Sequence, residues 1–245
     1  MAYALVALGF VLALNAVGAV NFAHGDLVVL GGAAAVVADL WTGLPGPLLL
    51  PLVALALGVA GIVAARVAIL PLASRPPEAT FVATIALAAM IEQGLTVTLG
   101  AAPRTAPPLL GAGAVEIGGV ALGRQPLAIV IVGMILVAAV WFLLERTQTG
   151  RRMRAVSADR HMAQAVGIPV ARYVVLSLAL AGALAGIAGF LLGHQFLVAP
   201  TQGAGHMLKA YIAVAIGGWG SVPGALLGAL GIGLFETFVS AAVGD

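Results

Sequence analysis

Residues 173–208 read YVVLSLALAGALAGIAGFLLGHQFLVAPTQGAGHML, a run without Asp, Glu, Lys or Arg. A helix needs roughly 20 apolar residues to cross about 30 Å of hydrocarbon, and this run exceeds one crossing. Four more uncharged runs, 1–25, 40–65, 125–144 and 210–235, are each long enough to span. Only 8% of the 245 residues are charged and 62% are hydrophobic, with a mean hydropathy of +1.15. A soluble domain carries about 25% charged residues, so a water-exposed surface cannot be built from this chain. Spanning segments must satisfy their backbone internally, which leaves helices or a closed barrel. The runs are continuous and rich in Ala, Leu and Gly rather than alternating, which selects helices. The expected fold is all-α: a polytopic transmembrane helical bundle of about seven to eight helical segments, some broken or re-entrant. It forms one transmembrane domain over 1–245.

Pro and Gly divide the chain into segments 2–20, 26–40, 47–70, 80–100, 124–144, 173–193, 207–217 and 223–243. Segments 26–40 and 207–217 are too short to cross alone and read as half-helices beside a break. The first break is GAVNFAHGDLVVLGG, residues 18–32, where Asn21, His24, Gly25 and Asp26 interrupt apolar chain. Polar side chains in a bilayer face a desolvation cost unless they meet protein or water. Asn21 or Asp26 can cap a helix beginning there. The second break is Gly217-Gly218-Trp219-Gly220-Ser221-Val222-Pro223-Gly224, with Ser221 as N-cap and Pro223 in the first helical turn. Half-helix ends offer free N–H and C=O groups, and transporters place substrate beside them. The plainer readings are glycine-mediated helix packing, a His24 hydrogen bond to a neighbouring carbonyl, and caps at Asp26 and Ser221. Glu92, in mid-segment, is a functional candidate as an intramembrane carboxylate or a bridge between two helices. Lys209 can snorkel to an interface.

Segment 145–172 differs in character. It holds Arg146, Arg151, Arg152, Arg154, Arg160 and Arg172, six of the eleven Lys and Arg. Positive loops stay in the cytoplasm. Counting back, the 71–79 loop is cytoplasmic as well and the 101–123 loop external. Within the basic segment, Asp159 is suited to cap a helix over 160–166, Gly167 to its left-handed end, and Pro169 to blocking continuation. Met162, Ala163 and Val166 would form a small apolar face. The segment reads either as a solvated linker or as a docking element for a cytoplasmic partner, since about 28 residues exceed a simple connection.

The absence of Cys excludes disulfides and thiolate metal sites, and four scattered His define no metal spacing. A net charge of +2 does not suggest nucleic acid. No cleavable signal is evident. No Gly-x-x-x-x-Gly-Lys-Ser/Thr loop occurs, so any ATP hydrolysis belongs to another chain. No cofactor and no catalytic residue are expected. Competing readings are an ion-coupled secondary transporter using Glu92 or His24, and an intramembrane hydrolase pairing Ser221 with a His.

These residues resemble the membrane subunits of LIV-type (hydrophobic amino acid uptake) ABC importers for branched-chain amino acids. The likeness begins at Tyr3-Ala4-Leu5-Val6-Ala7-Leu8-Gly9-Phe10 and strengthens at Asn21-Phe22-Ala23-His24-Gly25-Asp26. It continues through Thr149-Gly150-Arg151-Arg152-Met153-Arg154-Ala155, Met162-Ala163 and Gly167-Ile168, then Gly217 to Ala225. The resemblance implies a multi-pass permease of the prokaryotic plasma (inner) membrane, working by alternating access. Its implied partners are a second homologous permease, two ATP-binding subunits and a periplasmic or surface-attached substrate-binding protein. Arg151, Arg152, Arg154, Asp159, Met162 and Gly167 would then form the ATPase-docking element. The substrate path would run past Asn21, His24, Gly25, Asp26, Glu92 and the Gly217–Pro223 break. Urea or a short amide would fit the Ala- and Gly-rich segments equally well. The chain opens and closes abruptly on apolar runs, and the resemblance implies that it is short at both ends.

Overall fold

A computed structural model describes residues 1–243 except Ser74, Ala112, Gly118 and Gly119. The helices are α1 (Ala2–Val17), α2 (His24–Thr42), α3 (Gly46–Ala64), α4 (Pro77–Leu99) and α5 (Arg124–Arg146), then α6 (Gln148–Ala158), α7 (Arg160–Ala165), α8 (Val170–Gln195), α9 (Gly203–Gly217) and α10 (Val222–Val243). Eight of them correspond to the expected apolar segments, and α6 and α7 lie in the basic segment. Among the described residues, six helices are long and apolar enough to cross a membrane: α2, α3 with its extension to Leu72, α4, α5, α8 and α10.

Both segments expected as half-helices differ from expectation. The segment expected as a half-helix over 26–40 is a 19-residue helix, α2. It starts two residues early because the Asn21 carbonyl accepts the His24 N–H and turns the chain into the helix. The segment expected over 207–217 begins at Gly203, after a short 3-10 turn at Pro200–Gln202. At 15 residues and 1.5 Å per residue, α9 is roughly 22 Å long, short of a full crossing. A second local surprise is an antiparallel hairpin in the 101–123 loop, β1 (Ala114–Ile117) with β2 (Val120–Gly123), in which Ala114 pairs with Gly123 and Glu116 with Ala121.

The core is built around α1 and α8. Helix α1 is apolar on every face and buried on every face, as a central helix must be. Helix α8 packs on α1, α2 and α3. Close approach sets that packing: a Cβ at Gly189 would overlap the Val28 carbonyl oxygen of α2. Apolar groups also cover the outside of the bundle. Val82 and Met90 of α4, Ile135 and Phe142 of α5, and Leu234 and Phe238 of α10 are all exposed. Water would penalise such a surface, whereas hydrocarbon matches it.

The connections sort to two ends. Leu72, Arg75 and Pro77 line one cavity together with Arg160, His161 and Pro169. At the other end, Gly43 and Pro45 share a cavity with Pro107, Pro108 and Arg124. The two basic segments therefore emerge on one side of the bundle, the arrangement that loop charge demands.

Candidate helix breaks and docking segment

Gly18, at φ +69°, ends α1 and returns its N–H to the Leu14 carbonyl. Residues 19–23 are non-helical before α2 starts, and all but Phe22 are buried. Asn21 Oδ1 accepts the Ala23 N–H at 3.2 Å, so its side chain closes a local turn. No side chain caps α2, and Asp26 sits inside its first turn rather than at the cap position. The Phe22 N–H donates to Thr84 Oγ1 of α4 at 3.2 Å. His24 is fully buried, with Nε2 3.0 Å from the Val6 carbonyl. A carbonyl only accepts, so Nε2 carries the proton and Nδ1 offers a lone pair, which has no partner among the described residues. Val6 lies eleven residues before the end of α1, roughly 16 Å along the helix. The first break therefore places its polar groups part-way through the bundle.

Helix α9 begins at this depth. A Cβ on Gly25 would overlap the Gly203 carbonyl, and the Asp26 carboxylate lies directly against Gly203. Asp26 thus stands in the first turn of α2 and beside the first residue of α9. Two helix N-termini, each carrying partial positive charge, favour an anion there. Glu92 lies on α4 and is half-buried.

The second break lies at the opposite end of α9. Gly218 and Gly220 take φ of +102° and +79°, values that L side chains rarely adopt. Ser221 Oγ accepts the Gly224 N–H at 3.1 Å, capping α10, and Pro223 falls in that helix's first turn. Gly217 and Gly224 meet backbone to backbone. Asn15 Nδ2 of α1 donates to the Gly220 carbonyl at 2.8 Å. A cavity of about 340 Å³ opens beside this break, lined by Asn15, Trp141, Arg154, Ser177, Gly220 and Pro223. The two breaks flank α9. Among the described residues, no His lines the second break's cavity. Lys209, on α9, bonds Glu236 of α10 at 2.6 Å and the Tyr3 hydroxyl at 2.9 Å.

The basic segment is more ordered than its sequence suggested. Thr147 Oγ1 accepts the Gly150 N–H and starts α6, which buries Met153 and Val156. Arg154 pairs with Glu145 at the end of α5, and Arg152 donates to the Tyr173 hydroxyl of α8 at 3.0 Å. Arg151 is exposed. Asp159 Oδ1 accepts the His161 and Met162 N–H groups at the start of α7, and Gly167 takes φ +81° just past its end. The expected apolar face of Met162, Ala163 and Val166 is split. Ala163 is 3% exposed, whereas Met162 and Val166 are 67% and 75% exposed, because a six-residue helix turns only part of its surface inward. Sequence reading missed Asn15, Thr84 and Arg160, whose partners lie 205, 62 and 144 residues away. A mid-run Asn in α1 was the available signal for the first.

Fold and breaks together define a multi-pass membrane protein with two interrupted helices meeting one short helix between them. The family described as "Branched-chain amino acid transport system / permease component" matches residues 1–245. The chain belongs to that family, and its relatives are transport subunits. It is 28% identical over 256 residues to the high-affinity branched-chain amino acid transport system permease protein BraD of Pseudomonas aeruginosa, covering 99% of this chain and 83% of BraD. Identity to LivH of Escherichia coli K12, a protein of the same description, is 28%, covering 98% of this chain and 82% of LivH. The fructose import permease protein FrcC of Rhizobium meliloti is 36% identical over 114 residues, covering 44% of this chain and 32% of FrcC. No solved structure matches.

Proposed function

We propose that this chain is the membrane-spanning permease subunit of an ABC importer for branched-chain or other hydrophobic amino acids. The observation that carries the reading is whole-chain membership in the permease family. The two breaks at the ends of α9 are what alternating access needs. A gate that moves between two states requires elements able to swing at defined points; α9 starts from the 3-10 turn at Pro200–Gln202 and ends at Gly218, φ +102°. Helix N-termini and the Asp26 carboxylate give the first break partners for both charges of a zwitterion. The surrounding Ala, Leu and Val suit an apolar side chain.

The energy comes from two ATP-binding subunits, which dock on α6 and α7 at the basic end. Exposed Met162 and Val166 offer apolar anchors there, and Arg151 offers charge. A second homologous permease completes the pore, and a periplasmic or surface-attached binding protein delivers cargo from the far side. The site is the prokaryotic inner membrane.

Reconstitution of the chain with the permease, ATP-binding and binding-protein products of its neighbouring reading frames tests this. Labelled leucine should enter proteoliposomes only with ATP, and a protonophore should leave uptake intact. Uptake of urea or fructose in preference to leucine would reassign the cargo. Proton-driven leucine uptake by the chain alone would overturn the importer reading.

A further inference from the structure

Arg160, the first residue of α7, sends its Nη2 to the Ala16 carbonyl in the last turn of α1. That carbonyl is free because Gly18 turns the chain out of the helix at φ +69°, leaving the terminal carbonyls without partners. A guanidinium beside them meets the negative end of the helix dipole through a charge-assisted bond. No carboxylate pairs with Arg160 among the described residues. Its neighbours in the basic segment are committed elsewhere: Arg152 to α8 and Arg154 to α5. Arg160 is the one that reaches α1.

The last turn of α1 is also where both breaks attach. Residue 15 holds the Gly220 carbonyl of the second break, residue 16 holds Arg160, and residue 18 begins the first break. Beside this junction lies a cavity of about 830 Å³, lined by Gly18, Arg75, Thr80, Arg160, His161 and Gln164. It gives α7 room to shift against α1. We infer that Arg160 is a positioning residue that links movement of α7 to the helix breaks through the last turn of α1. This rests on the reading that α7 docks an ATP-binding subunit.

The test uses the assembled transporter in proteoliposomes and reads leucine uptake per ATP hydrolysed. Arg160→Ala should still assemble and hydrolyse ATP, while uptake per ATP falls roughly fivefold or more, the low end of measured coupling between sites. Arg160→Lys, which keeps a cation within reach of the carbonyl, should recover at least half of the loss. A wild-type ratio in Arg160→Ala, or no recovery by Lys over Ala, overturns the role. Loss of the ATP-binding subunits from Arg160→Ala also overturns it, making Arg160 a docking contact instead. The docking premise is read separately. The chain has no Cys, so Met162→Cys supplies a single thiol whose labelling should be blocked by the bound ATP-binding subunit. Blocked labelling with an unchanged ratio refutes the coupling alone; unblocked labelling refutes docking, and coupling with it.

Discussion

Gly220→Ala separates the strain of the second break from its contact with α1. Gly220 holds φ +79°, and a Cβ there would lie 2.9 Å from Asn15 Oδ1. Gly43 has a comparable φ of +59° but nothing within 4 Å of its added Cβ. A left-handed L residue costs about 1–2 kcal/mol, so both substitutions carry that term. Only Gly220→Ala also displaces Asn15 from the Gly220 carbonyl. Interhelical hydrogen bonds in a membrane average about 0.6 kcal/mol and reach about 1.7. Gly220→Ala should therefore destabilise by about 2–3 kcal/mol and Gly43→Ala by about 1–2, measured by SDS-titrated unfolding in mixed micelles. In an Asn15→Ala background the contact is already gone, and Gly220→Ala should fall to the Gly43 value. That non-additivity is about 1 kcal/mol, above the scatter of roughly 0.3–0.5 seen between independent sites. Strict additivity, or equal effects at Gly43 and Gly220 in the wild-type background, would refute the proposed α1 contact. Leucine uptake should track the same order.

Gly189→Leu drives a side chain into the Val28 carbonyl and should destabilise by about 1–3 kcal/mol through overpacking. Gly94→Ala, with open space around its Cβ, should be neutral or stabilising by up to about 1 kcal/mol; equal unfolding midpoints for the two would contradict the α2–α8 packing. Arg151→Glu should reduce ATP-binding subunit co-purification without changing the unfolding midpoint. Arg152→Glu should lower both, since it also loses Tyr173; identical behaviour of the two variants would remove the distinction.

Local chemistry made much of this legible. The uncharged runs locate the bundle, the glycine clusters locate both breaks, and Asp159, Gly167 and Pro223 mark helix ends because capping and left-handed geometry depend on a few adjacent residues. Helix α6 escaped notice because it has no apolar run. Its signal is Thr147 followed by Met153 and Val156 at helical spacing, drowned by the polar and basic residues between them. The hairpin had a Gly118-Gly119 turn signal between two short β-prone stretches, overshadowed by the prolines before it. Arg160 and Asn15 could not be assigned from sequence: a residue type says what it can bond, and only the folded chain says which distant carbonyl it reaches. Asp26 shows the limit at close range, where a two-residue shift in the helix start moved it from cap to first turn.

The burial of α1 has a consequence for biogenesis. Its main neighbours, α8, α9 and α10, are all made after α2 to α7. Helix α1 must therefore wait, bathed in lipid or shielded by insertion machinery, until those later helices are made. A nascent chain halted before residue 170 leaves that segment without most of its partners. Quality control that recognises an orphaned α1 would detect such a chain.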